Sequence, residues 1–175
     1  PYIREEEVSN KILASYGVKS GEYHLVVSRL EPENNVEEIV YGFQQYKRKW
    51  PLIIVGNLQK TVFVQKLQAI AGDNIHFVGG IYDKDKLAIL RAHSATYLHG
   101  HSVGGTNPSL LEAMGSHNLC ICHDNTFNRE VVSDHGLFFK DADDVSEILQ
   151  KVEANLEGYV AMRDGVMNRV VNYYN

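Results

Sequence analysis

The sequence predicts a doubly wound α/β domain, a mostly parallel sheet of about six strands with helices on both faces. Two patterns predict it. Six short apolar runs recur along the chain: HLVVSRL (24–30), PLIIVG (51–56), NIHFVGG (74–80), ATYLHG (95–100), LCICHD (119–124) and GLFFK (136–140). A strand that is apolar throughout, rather than alternating, is one covered on both faces, as in a parallel sheet flanked by helices. Between these runs the apolar residues are spaced by three and four, the period of a helix. Strand and helix alternating at this pace give βαβ units with right-handed crossovers.

Each element follows from its residues. Residues 3–16 form a charged helical segment that stops at Gly17. After the first strand, Pro-Glu-Asn-Asn makes a turn, and Val36, Ile39, Val40 and Phe43 form a helical stripe. Leu67 and Ile70 mark a helix before the third strand, and Leu87, Leu90 and Ala92 mark one before the fourth. The fourth strand leads to HGHSVGGTNPSLLEAMG, where Asn107 suits an N-cap and Pro108 the first helical turn. Val145, Ile148, Leu149 and Val152 follow the sixth strand. A last helix over 159–175 carries Val160, Met167, Val170, Val171 and Tyr174, a stripe whose partner is this domain or another one.

The 175 residues fit one domain, and a chain of this size buries roughly 70% of its unfolded surface, enough for a core without staples. With 44% hydrophobic and 22% charged residues the composition is that of an ordinary globular protein. The net charge is −5 and the basic residues are scattered, which argues against nucleic acid or an anionic membrane as the main partner. No apolar run reaches the ~20 residues of a transmembrane helix and no signal-like stretch opens the chain, so a cytoplasmic location is expected. Cys120 and Cys122 sit two apart in one strand, so both face one side and pack as small apolar groups. The chain starts at Pro1 and ends in VVNYYN, as a piece excised from a two-domain protein would.

In open α/β sheets, ligands bind beyond the carboxyl ends of the strands. Gly104 and Gly105 let the loop before the Asn107-Pro108 helix start bend close to a ligand and turn N–H groups inward, and the helix dipole favours an anion there. Thr106, Asn107 and Ser109 supply neutral donors. Glu112, one turn further on, is placed to accept hydrogen bonds from hydroxyls. Anion and polyol together suggest a nucleotide. Arg29 closes the first strand on the same edge, and its planar fork suits a diphosphate. Gly79 and Tyr82, after the third strand, are candidates to receive a base.

VSRLEPENN, HFVGGIYDKDKLAILRAHSATYL and HGHSVGGTNPSLLEAMG, in this order, resemble the C-terminal, donor-binding half of the retaining GT-B glycosyltransferases of family 4, in their bacterial rhamnosyltransferase-like branch; the resemblance covers about residues 20 to 155. It implies a Rossmann-like half of a GT-B fold that binds a nucleoside diphosphate sugar. Arg29 matches the arginine that grips the diphosphate, and Glu112 the glutamate that holds the ribose hydroxyls; these two carry the catalytic role. The family's lysine five residues after the arginine falls on Asn34, and its first glutamate, eight before the second, falls on Gly104. With His101 lining the pocket, these departures imply a changed sugar pocket. Replacing a carboxylate with Gly104 removes an acceptor that an apolar methyl of a deoxy sugar would leave unpaired, at a cost of roughly 1–3 kcal/mol. The resemblance implies transfer, with retention, of a sugar such as rhamnose from dTDP-rhamnose to a glycan or lipid-linked acceptor in surface polysaccharide synthesis. It implies no metal or cofactor, an acceptor site on an N-terminal domain, and a location peripheral to the inner face of the membrane.

Several competing patterns are weaker. Asp83-Lys84-Asp85 and Asp141-Ala142-Asp143 spell D-x-D but precede predicted helices, where acidic residues favour the macrodipole. His99 and His101 flank Gly100 without a third ligand at a zinc-like spacing. A non-catalytic nucleotide-binding or regulatory α/β module is the alternative reading. A receiver would end its third strand in a phosphorylatable Asp, where this chain has Val78-Gly79-Gly80. A dinucleotide enzyme would carry G-x-G-x-x-G where this chain reads SRLEPENN.

Overall fold

A computed structural model of the chain describes residues 2–174; Pro1 and Asn175 lie outside it. Six parallel strands, β1 (His24–Val27), β2 (Leu52–Val55), β3 (Ile75–Gly79), β4 (Thr96–His99), β5 (Leu119–His123) and β6 (Leu137–Phe139), form one sheet in the order β3-β2-β1-β4-β5-β6. The order reverses between β1 and β4, which pair His24 with Thr96 and Leu25 with Tyr97. Adjacent loops leave the sheet in opposite directions there and open a crevice at the carboxyl edge.

The helices are α1 (Tyr2–Ser15), α2 (Val36–Gln44), α3 (Val62–Ile70), α4 (Lys84–His93), α5 (Pro108–Gly115), α6 (Thr126–Val132), α7 (Ala142–Ala154) and α8 (Val160–Tyr173). Two core layers follow from the period-two alternation of the strands. Leu25, Ile53, Tyr97, Cys120 and Cys122 pack with Leu13 of α1, Leu90 of α4, Leu110 and Met114 of α5, Val131 of α6 and Val166 of α8. Val26, Leu52, Ile54, Leu98 and Ile121 pack with Ile39 and Phe43 of α2, Val64 and Leu67 of α3, and Val145 and Leu149 of α7. Both cysteines are free and fully buried in the first layer; burial holds the Cys120 thiol up at about 12 and that of Cys122 well above its ordinary value.

Two elements differ from the sequence reading. Helix α6 has no counterpart in it, because its three apolar residues, the exposed Phe127 and the adjacent Val131 and Val132, are too few to show a period. The inward residues are Val166 and Val170 of α8 and Tyr174 just after it, whereas Val160, Met167 and Val171 are exposed. The helix lies against α5, β5 and the turn at Ser133–His135, and that seat fixes which face points inward. At the opposite end of the sheet, His24 is buried between Thr96 Oγ1 (2.9 Å from Nδ1) and Glu153 Oε1 (2.9 Å from Nε2). Among the described residues no helix is long and apolar enough to cross a membrane.

Candidate functional site

A cleft of about 500 Å³ opens at the carboxyl edge of β1 and β4, within the size range of small-molecule sites. Arg29, Asn34, Tyr82, His101, Asn107, Ser109 and Glu112 line it, brought from three loops to one place. Gly104, Gly105 and Thr106 stand on the exposed loop between the lining residues His101 and Asn107. Gly79 lies just ahead of the lining segment Gly80–Tyr82 and does not itself line the cleft. Tyr82 is 84% exposed, with its ring over Gly80.

The loops after β1 and β4 are stitched together. The Ser102 amide and hydroxyl both donate to the Glu33 carbonyl, at 3.0 and 2.9 Å, and Asn35 Nδ2 donates to the Gly100 carbonyl at 2.7 Å. Asn35 takes the left-handed conformation at φ 47°, which Asn tolerates better than most residues. Gly100 is required by proximity: a Cβ there would sit 2.0 Å from the Asn34 carbonyl oxygen. Asn128 Nδ2 and Asn125 Nδ2, on and before α6, donate to the His101 carbonyl at 3.0 and 3.1 Å.

Asn34 is part of this stitching. Its Nδ2 donates to the Arg29 carbonyl at 2.7 Å, and its Oδ1 accepts from His101 Nδ1 at 2.8 Å. The side chain at the position of the family's lysine is therefore committed inside the fold, where it ties the Arg29 loop to the His101 ring. The Arg29 side chain is 73% exposed and, among the described residues, pairs only with the Glu31 carboxylate, at 3.3 Å, so it is free to turn to a ligand.

Helix α5 starts as its residues dictate. Asn107 in extended conformation caps it by accepting the Ser109 amide at 2.9 Å, and Pro108 fills the first turn. Gly104 adopts φ +87°, a conformation that glycine reaches without strain. The backbone amides of Gly104 to Asn107 make no hydrogen bond among the described residues and remain available to an anion. The sequence reading extends this cradle to Ser109, and the structure shortens it: that amide is capped, and the Ser109 hydroxyl lies 2.6 Å from Tyr97 Oη and 3.3 Å from the Val27 carbonyl.

One lining residue, Arg91, escaped the sequence reading; His99, weighed there only as a metal ligand, also lines the cleft, and Tyr97 packs behind the lining residue Ser109. Arg91 of α4 pairs with Glu112 at 2.7 Å; in sequence it is indistinguishable from a cation placed at a helix C-terminus for the macrodipole. Tyr97 sits fully buried beneath the Ser109 hydroxyl. His99 closes β4, and burial, then the neighbouring His101, push its imidazole down to about 3, so it is neutral at ordinary pH. The two D-x-D stretches are helix caps: Asp83 accepts the amides of Asp85 and Lys86, and Asp141 that of Asp144.

Residues 9–166 match the model of the family described as glycosyl transferases group 1. The chain is 26% identical over 153 residues to the O-antigen chain mannosyltransferase B of Escherichia coli; the match takes in 83% of this chain and 40% of that protein, so it spans less than half of that relative's length. In structure it is similar to the C-terminal domain of the glycosyl transferase group 1 family protein LpcC of Francisella tularensis (TM-score 0.77, 15% identity, 95% of this chain and 93% of the other). It is also similar to the Anabaena protein Alr3699/HepE in complex with UDP-glucose (TM-score 0.83, 14% identity, 94% and 48% covered). These likenesses establish the fold as the Rossmann-like C-terminal half of the GT-B architecture. A glycine loop before a capped helix, an arginine at the end of the first strand and a family match over most of its length agree, and the chain belongs to the glycosyl transferases group 1 family.

Proposed function

We propose that the cleft binds the nucleoside diphosphate sugar of a retaining glycosyl transfer and that the chain is the donor-binding domain of that transferase. The observation that carries this reading is the convergence of Arg29, Asn107 and Glu112 in one cleft at the sheet's switch point, beside a loop, Gly104 to Asn107, whose amides make no hydrogen bond among the described residues. Arg29 and the loop amides neutralise the diphosphate as the glycosidic bond breaks, which is electrostatic stabilisation of a leaving group. Glu112 holds the ribose, the base lies toward Gly80 and Tyr82, and the sugar lies near His101 and Gly104. With glycine in place of the family's carboxylate, a deoxy sugar is the preferred cargo, rhamnose from dTDP-rhamnose first among them. The acceptor is a glycan or lipid-linked glycan of surface polysaccharide synthesis, presented by an N-terminal domain at the inner face of the membrane. The transfer needs no metal or cofactor, and the chain alone binds donor without efficient turnover.

Thermal shift with dTDP, UDP, GDP, NAD and acetyl phosphate tests the reading. A ligand at ~100 times its Kd stabilises by about 2.7 kcal/mol, a rise of roughly 5–10 °C for a domain of this size. A shift with at least one nucleoside diphosphate is expected. Response to NAD alone or acetyl phosphate alone points to the dinucleotide or receiver class and overturns the reading, as does no response at all.

A further inference from the structure

A second cavity, of about 570 Å³, opens at the amino edge of the sheet, the end away from the cleft, between the loop from α2 to β2 and the loop from α3 to β3. Its wall carries an exposed aromatic ring. Tyr46 is 54% exposed, and the Arg48 guanidinium carbon lies over its ring, 5.9 Å from the centroid. Arg48 is itself fixed: its Nε donates to the Phe43 carbonyl at 2.7 Å, and its Nη2 to the Gly42 carbonyl at 2.9 Å and the Ser146 hydroxyl at 3.0 Å. The ring is therefore braced on one face by a held cation, so a ligand meets it already ordered. The polar groups around Tyr46 are mainly acceptors. Gln44 Nε2 donates to the Ile70 carbonyl at 2.9 Å and Asn74 Nδ2 to the Trp50 carbonyl at 3.2 Å, and each amide keeps its oxygen unpaired among the described residues. Gly72 leaves room for the first of these oxygens, since a Cβ there would lie 2.9 Å from Gln44 Oε1. The Asp73 carboxylate adds acceptors, and the Lys47 ammonium and the Tyr46 hydroxyl are donors.

We propose that this cavity is a second, non-catalytic carbohydrate site, which stacks one pyranose ring of a glycan on Tyr46 and takes its hydroxyls on Gln44, Asp73 and Asn74. A sugar ring meets both demands of the wall. Its C–H face is weakly positive and suits the negative face of an aromatic ring, and its hydroxyls are donors for the unpaired oxygens. Other ligand classes fail one demand each. An inorganic anion brings acceptors alone and meets the Asp73 carboxylate, a small cation meets Lys47 and Arg48, and an apolar ligand strands the oxygens away from water. The cavity and the cleft lie at opposite ends of the strands, so a glycan held here leaves the cleft open.

NMR titration of the isotope-labelled 175-residue chain with the methyl glycosides of rhamnose, mannose, glucose, galactose and N-acetylglucosamine tests the proposal, with inorganic phosphate and tetramethylammonium as controls. At least one glycoside is expected to shift the Gly72 backbone amide and the Gln44 and Asn74 side-chain amides, with a Kd of about 1 mM. Tyr46→Ala is expected to weaken that glycoside by about tenfold and Tyr46→Trp to retain it. Both variants should keep the wild-type urea midpoint, because the ring is exposed. No shift at Gly72 with any glycoside at about 50 times that Kd overturns the proposal, and this wild-type result stands whether or not the variants fold. Shifts confined to Gly104 and Gly105 overturn it too, as do an equal response at Gly72 to phosphate or tetramethylammonium and undiminished glycoside binding in Tyr46→Ala. None of these readouts involves a nucleotide, so they are separate from the test of the donor site.

Discussion

Gly100→Ala is a sharp test of how the site is held. The added Cβ would lie 2.0 Å from the Asn34 carbonyl oxygen, 2.9 Å from its carbon and 3.3 Å from Asn35 Cβ. The first two neighbours are backbone, so one loop must retreat by more than 1 Å to reach ordinary contact, at an overpacking cost of about 1–3 kcal/mol. The retreat also stretches the Asn35–Gly100 and Ser102–Glu33 hydrogen bonds, together about 1–2 kcal/mol. A loss near 3 kcal/mol lowers Tm by roughly 6–12 °C in a domain of this size. Because Asn34 carries the Arg29 carbonyl, nucleoside diphosphate affinity falls with it. Gly105→Ala is the control: its Cβ meets nothing within 4 Å, and its stability change should stay within about 0.5 kcal/mol. Urea unfolding and thermal melts read both. A Gly100→Ala melt within about 1 °C of wild type, or an equal loss in Gly105→Ala, would refute the close-approach reasoning.

Arg29→Ala should weaken nucleoside diphosphate binding by about 10- to 100-fold, the worth of one charge-assisted contact, while unfolding stays nearly unchanged because the side chain is 73% exposed; a shifted urea midpoint with intact affinity contradicts it. Glu112→Ala should weaken nucleotides more than pyrophosphate, and titrations showing the same loss for both would remove its ribose role. His24 and His99 are both held neutral by burial, His99 at about 3. Their pKa values are lower folded than unfolded, so below about pH 6.5 the unfolded chain binds more protons, and stability falls as pH drops. By about pH 5, His99 alone accounts for about 2 kcal/mol. Urea midpoints measured between about pH 7.5 and 5 should decline, less steeply in His99→Gln; a flat wild-type profile excludes this linkage.

The strands were legible because a doubly covered sheet demands runs such as LIIV and LCIC, whose hydrophobicity has no other use. The start of α5 was legible for a local reason, since Asn107 and Pro108 act on their own backbone. Helix α6 was not, because seven residues with only Phe127, Val131 and Val132 apolar are too few to establish a period. The α8 stripe divides, with Val170 and Tyr174 turned inward and Val160, Met167 and Val171 exposed, because a helix with apolar residues on several sides turns whichever face its seat selects. In the cleft, Arg29 and Glu112 stood out by type and spacing, but Arg91 did not: nothing in KLAILRAH shows that its guanidinium meets a carboxylate 21 residues later.

The alternation of elements, the strand continuity, the helix caps and the glycine turn that leads into α5 are written in the chain itself, because each rests on interactions within a few residues or on one face of an element. Folding in three dimensions is what makes β1 and β4 neighbours, spends Asn34 on bridging Arg29 and His101, uses the Ser109 amide and hydroxyl inside the fold, and pairs Glu112 with Arg91. These depend on which distant side chains burial forces to satisfy one another. Such pairings appear only when the sheet order sets the distances.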